Sequence, residues 1–247
     1  MRWRRTGYTP LQFRARRVER GRSASAHAVM LNRVRQHVMH PAPPLLLAGV
    51  ALLAAAVTTS ATVAQLDAAL GRVARAATAG ISHDAGYALS ALGGTDLVTP
   101  LAAGAATVLV LLRHWRGALT LVLALLATQG VVQLIKVWVE RPRPAANHGL
   151  AEAAGFSFPS AHSATSMALY ATLALVAARA CRAPGLRAAV LACAAALVAA
   201  IGLSRVLLAA HYPIDVLAGW LTGGALVVAS WLLVRQLVRS QPRALPA

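Results

Sequence analysis

Apolar residues in this chain come in unbroken blocks, not in stripes. Six blocks stand at roughly 44–66, 96–112, 117–138, 161–180, 187–208 and 213–234, separated by short polar or Pro- and Gly-containing segments. Each is about 17 to 23 residues long, enough for a helix to cross the hydrocarbon core of a bilayer. The pattern predicts an all-α fold, a six-span transmembrane helical bundle. Between the first two blocks lies LDAALGRVARAATAGISHDAGYALSALGG. Its Leu66, Leu70, Val73 and Ala77 fall at helical spacing, with Asp67 and the arginines elsewhere. That pattern predicts one or two short amphipathic helices lying at the interface.

Composition agrees with this reading. The 247 residues are 58% hydrophobic and 13% charged, too apolar for an ordinary soluble domain. The net charge of +17 would suggest nucleic acid on a soluble chain. Its distribution excludes that class: ten arginines lie in the first 35 residues, and most others flank the apolar blocks with no basic-aromatic interleaving. Residues 1–43 are expected to be a basic arm, disordered or lying on an anionic membrane face. Residues 44–235 form one membrane domain and 236–247 a tail. With both termini in the cytoplasm, the cytoplasmic segments hold 18 Lys and Arg side chains against 6 on the other side. This bias fixes the expected orientation. Cys181 and Cys193 form no CxxC or disulfide framework and are expected to be packing residues.

Three polar clusters break the apolar pattern: KVWVERPRP with Lys136 and Arg143, FPSAH with Ser160 and His162, and SRVLLAAHYPID with Arg205, His211 and Asp215. In the predicted topology all three face the non-cytoplasmic side. Lys136 is the sole lysine, and Asp215 is the sole carboxylate after Glu152. Planar arginine forks match phosphate oxygens in bidentate fashion, and a lysine adds a point charge. Ser160 and the N–H groups of a helix start add anion donors. His162 and His211 are candidates for acid and nucleophile. Asp215, four residues after His211, falls on the same helix face and can hold one ring nitrogen protonated. ERPRP also offers Arg141 as a rival to Arg143. His83, His114, His148 and Glu152 are expected in loops or at the interface.

These clusters resemble the three-part pattern of the type 2 phosphatidic acid phosphatase superfamily, which includes vanadium-dependent haloperoxidases. The pattern is lysine, six residues and Arg-Pro (Lys136, Arg143, Pro144); Pro-Ser-Gly-His (Pro159 to His162); and Ser-Arg, five residues, His, three residues, Asp (Ser204, Arg205, His211, Asp215). The family glycine is Ala161 here, which keeps the backbone N–H. The resemblance covers about residues 60–235. It implies a membrane lipid phosphatase in which His211 attacks phosphorus, Asp215 orients it and His162 protonates the leaving oxygen. Lys136, Arg143, Ser160, the Ala161 N–H and Arg205 would hold the phosphate. It implies no cofactor and no metal, and a lipid phosphate as substrate: undecaprenyl pyrophosphate, phosphatidic acid or phosphatidylglycerol phosphate. A transferase of the same superfamily, a haloperoxidase and a non-catalytic membrane protein remain the alternatives.

Overall fold

Every long apolar block is helical in the computed structural model, which describes residues 41–78, 80–145 and 155–239. The chain divides into two units at residue 40/41. The expectations for the basic arm, for His148 and for Glu152 lie outside the described residues. Helix α1, Ala42–Thr59, starts with proline in its first turn, where the missing N–H costs nothing. α2 is Ala61–Ala77, α3 His83–Ala91, α4 Thr95–Leu111 and α5 Trp115–Val139. The chain then runs through α6, Ala161–Ser166, a π-helical turn at Met167–Ala171, and α7, Thr172–Ala180. α8, Pro184–Leu207, and α9, Pro213–Arg239, complete the bundle. No strand occurs among the described residues.

Among the described residues, five helical runs are long and apolar enough to cross a membrane; α3 and α4, bent by 41° at their junction, qualify together as a sixth. The structure corrects the first span. It ends at Thr59, not at 66, because Ser60 is extended and its hydroxyl accepts the Val63 N–H, capping α2. The Thr58 and Thr59 hydroxyls bond back to the carbonyls of Ala54 and Ala55, which satisfies the two hydroxyls within the last turn of α1. The last helix runs on past the predicted end at 234, through Arg239.

The amphipathic helix α2 turns its apolar side outward: Leu66, Leu70 and Val73 are exposed, whereas Asp67 and Gly71 are buried. In a bilayer the outward environment is itself apolar, so the polar residue is the one that goes inside. Cys193, expected to pack, is exposed. Trp231 lies between Arg179 and Arg235, 5.2 and 4.4 Å from its ring centroid.

α9 is the central element, packed on α1, α5 and α6. Gly219 and Gly223, one turn apart, let its backbone touch α6. A methyl at Gly219 would stand 2.5 Å from the Ser160 carbonyl, and one at Gly223 2.4 Å from that of Ala164. This is the small-xxx-small pattern of close helix pairs in membranes. Around it, Val50, Val57, Phe158 and Ala218 form one apolar cluster, and Ala124, Ala168 and Val227 another.

Candidate active site

The three polar clusters meet where helices end. Lys136 occupies the last turn of α5, buried, with its Nζ donating to the Phe156 carbonyl. The helix stops at Glu140, which is left-handed at φ 49°, and ERPRP leaves in extended form. Proline at 142 and 144 keeps it from re-entering a helix. Arg143 then reaches back: its Nε donates to the Gly155 carbonyl at 3.0 Å and its Nη1 to that of Ala210 at 2.8 Å. The same Nη1 stands 3.2 Å from His211 Nε2.

Ser160 caps α6, its hydroxyl accepting from the Ser163 N–H at 3.4 Å and the Ser163 hydroxyl at 3.0 Å. Its own N–H donates to the Asp215 carbonyl at 2.9 Å, which pins the start of α6 to the start of α9. Ala161 and His162 are the first two residues of α6, so their N–H groups belong to the unsatisfied first turn that attracts anions. The His162 ring packs on the Gly93–Gly94 turn; a methyl at Gly94 would lie 3.3 Å from its Nε2. Thr165 and Tyr170 also hold that turn, donating to the carbonyls of Gly93 and Leu92 at 2.7 and 2.8 Å. His162 lies within electrostatic reach of Arg205, His211, Arg143 and Lys136.

Arg205, in the last turn of α8, is 2% exposed and donates from Nη1 to the Ser90 hydroxyl of α3. Past α8 the chain turns sharply, with Ala209 left-handed at φ 52°. The N–H groups of Ala210 and His211 both donate to the Arg205 carbonyl, at 3.0 and 3.1 Å. The nucleophile candidate is thus tied through its backbone to the residue before the turn. His211 is 2% exposed, and burial pushes its imidazole down to about 4, against the pull of Asp215. It is therefore neutral near pH 7, the form that carries a lone pair. Burial also lowers the Arg143 guanidinium. All eight sequence-predicted positions thus lie at or beside one end of the bundle.

The structure corrects how Asp215 is held. Its Oδ2 stands 3.6 Å from His211 Nδ1, beyond a hydrogen bond, and is engaged by the Ser157 hydroxyl and by the Tyr212 N–H at 3.0 Å. Its Oδ1 accepts from Arg141 Nη1 at 2.5 Å. Arg141, the rival phosphate ligand of the sequence reading, is buried and turned to the opposite side. Its Nη2 donates to Asp67 Oδ2 at 2.9 Å, and its guanidinium lies 4.2 Å over the Tyr212 ring. Asp67 Oδ1 accepts the Ile214 N–H at 3.0 Å. Burial raises the Asp67 carboxyl above its ordinary value, with the Ile214 N–H and Arg141 pulling it down.

Ser90, Ser157 and Asp67 escaped the sequence reading. Asp67 did carry a signal, as the sole acidic residue between Glu19 and Asp84. Ser90 and Ser157 carried none that separates them from other serines.

Three cations, a helix start and a neutral imidazole suit a tetrahedral oxyanion beside a nitrogen nucleophile. A sequence model of the PAP2 superfamily matches residues 117–239, which include all three clusters. The fold is similar to that of the transmembrane PAP2-type phosphatidylglycerolphosphate phosphatase of Bacillus subtilis. That likeness has a TM-score of 0.67 and 26% identity, and covers 82% of this chain and 98% of that one. LpxE of Aquifex aeolicus shares the fold with a TM-score of 0.50 and 24% identity, over 65% of this chain and 92% of that one. No curated protein sequence matches.

Proposed function

We propose, from the premise that this chain belongs to the PAP2 superfamily, that it is an integral-membrane lipid phosphatase working through a phosphohistidine. The observation that carries the mechanism is the His211 imidazole. Its Nε2 faces Arg143 Nη1 at 3.2 Å, while its Nδ1 is turned to the Asp215 carboxylate. That arrangement favours the tautomer with the proton on Nδ1 and the lone pair on Nε2.

In the first step Nε2 attacks phosphorus, forming an N–P bond as the P–O bond to the lipid breaks. His162 gives its proton to the departing oxygen. Asp215 then faces an imidazole made cationic by the new bond. In the second step water attacks phosphorus, His162 takes back a proton, the N–P bond breaks and inorganic phosphate leaves. Lys136, Arg143, Arg205, Ser160 and the N–H of Ala161 stabilise charge on the transferring group. They are already oriented before the reaction, so little reorganisation is needed. Ala161 in place of glycine leaves that N–H donor intact. The site faces the non-cytoplasmic side, with both termini inside; the arginine distribution supports this orientation. The substrates that fit are lipid phosphate monoesters and pyrophosphates of the undecaprenyl pyrophosphate, phosphatidic acid and phosphatidylglycerol phosphate type.

The test is phosphate release by the detergent-purified protein from those three lipids, in EDTA, beside His211→Ala. The wild type releases phosphate, and the variant loses on the order of 10⁴-fold or more, the scale of removing a covalent nucleophile. A variant as active as the wild type would remove His211 from the mechanism, and a strict magnesium requirement would refute the metal-free route.

A further inference from the structure

Two buried residues outside the phosphate cradle stand in line with the reactive imidazole. Asp67 and Arg141 bond to each other and to the first turn of α9. Arg141 joins two carboxylates that belong to helices far apart in sequence, at 2.9 Å on one side and 2.5 Å on the other. All three members are buried: Arg141 is 7% exposed, Asp67 1% and Asp215 0%.

We infer that Asp67 and Arg141 are positioning residues for His211, acting through Asp215 to fix the carboxylate that faces the imidazole. The inference rests on the phosphohistidine reading above.

The geometry supports it at each link. A lone aspartate in the first turn of α9 could rotate about χ1 and χ2. Here Arg141 anchors Oδ1, while the Ser157 hydroxyl and the Tyr212 N–H anchor Oδ2. The oxygen that faces His211 Nδ1 is therefore Oδ2, and no rotamer change is needed when the imidazole becomes cationic. Arg141 in turn is held from three sides: Asp67 at one end of its fork, Asp215 at the other, and the Tyr212 ring beneath. Asp67 is fixed by the Ile214 N–H, one residue before Asp215, so a single side chain secures both the guanidinium and the first turn of α9.

Charge is arranged to the same end. Two carboxylates and one guanidinium carry a net charge of −1, which leaves one negative charge to answer the imidazolium-like ring formed on attack. A chain of this kind is costly to bury, and an apolar cluster would serve packing alone equally well. α2 is otherwise exposed or half-buried, and Asp67 and Gly71 are its buried residues. Its inward face thus carries a carboxylate where a bundle helix would ordinarily carry an apolar side chain.

The test is a kinetic cycle on the detergent-purified full-length protein with phosphatidic acid as substrate, comparing Asp67→Asn, Arg141→Gln and the double variant, with His211→Ala as reference. Asn keeps an acceptor for the Ile214 N–H but cannot match the guanidinium's charge. The expected outcome is a fall in kcat of about 10- to 100-fold for Asp67→Asn, the scale of losing an outer orienting partner, with KM little changed. The double variant falls no further than Arg141→Gln alone, because Asp67 acts through Arg141. The rate at which diethyl pyrocarbonate acylates His211 shifts with kcat. A wild-type kcat in Asp67→Asn would overturn the inference, as would losses that multiply across the two single variants. If Asp67→Asn yields no folded protein, Arg141→Lys decides. It keeps the charge but loses the fork that spans both carboxylates, so the same kcat loss is expected and a wild-type kcat overturns the idea. A wild type that releases no phosphate, or a fully active His211→Ala, instead overturns the functional reading beneath.

Discussion

Gly223 and Gly224 are neighbours on α9, and their substitution by alanine should have opposite effects. A methyl at Gly223 would stand 2.4 Å from the Ala164 carbonyl and 2.9 Å from Met167 Cβ; one at Gly224 meets nothing within 4 Å. Both changes add the same helix-favouring methyl, worth about 0.5–1 kcal/mol, so that gain cancels between them. What remains is the steric cost of forcing α9 away from α6. The obstacle is backbone, which cannot swing aside as a side-chain tip could. Overpacking of this kind costs about 1–3 kcal/mol. For a chain of this size each kcal/mol shifts Tm by about 2–4 °C, so Gly223→Ala should melt about 2–12 °C below Gly224→Ala. The assay is thermal unfolding of both variants in one detergent, followed by a thiol-reactive or intrinsic fluorescence probe. Gly224→Ala should match or exceed the wild type. If the two variants melt together, the close α6–α9 approach is not what holds the site, and the role given to the glycine pair is wrong.

Two further outcomes follow from the site. Ser90→Ala removes the acceptor that orients the Arg205 guanidinium; loss of a hydrogen bond to a charged group costs about 1.5–3 kcal/mol, so kcat/KM for phosphatidic acid should fall at least about tenfold, and an unchanged value would detach α3 from the site. His211 has a folded value near 4 against an ordinary 6.5, so the unfolded chain binds the extra proton between those limits. Stability tied to His211 is thus complete above pH 6.5 and lost as pH falls toward 4. Tm of the wild type should drop relative to His211→Gln over that window, and parallel Tm curves would refute the assignment.

Much of this was legible before the structure because bilayers impose simple rules. A helix must be about 20 residues long to span, and a polar residue within one needs a reason. Those two rules locate the spans and single out Lys136 and Arg205, while His211, between two spans, was marked by its four-residue spacing to Asp215. The break at Ser60 was not legible, since VTTSATVAQL runs across it without a charge, glycine or proline and the cap forms only when the chain turns. Asp67 was read as part of a polar face because its partner, Arg141, stands 74 residues away, and no local pattern reports such a distance. Arg141 and Arg143 look equivalent in ERPRP, and their two-residue spacing would put both on one face of a regular extended segment, yet one bonds to the carboxylates and the other to the imidazole. The GWLTG stretch carries the glycine spacing of a close helix contact, a signal present in the sequence that names no partner by itself.

The ion chain also sets an order of events during synthesis. Its members are spaced 74 and 74 residues apart, so they emerge from the ribosome one after another, and the last arrives only with the final span. Until α9 is in place, Asp67 and Arg141 have each other but lack Asp215, and the imidazole has no carboxylate behind it. A chain cut short before α9 therefore holds every cation of the cradle and His211, but not the carboxylate that faces its ring. In the proposed mechanism the site is completed only when α9, on which α1, α5 and α6 pack, joins the bundle.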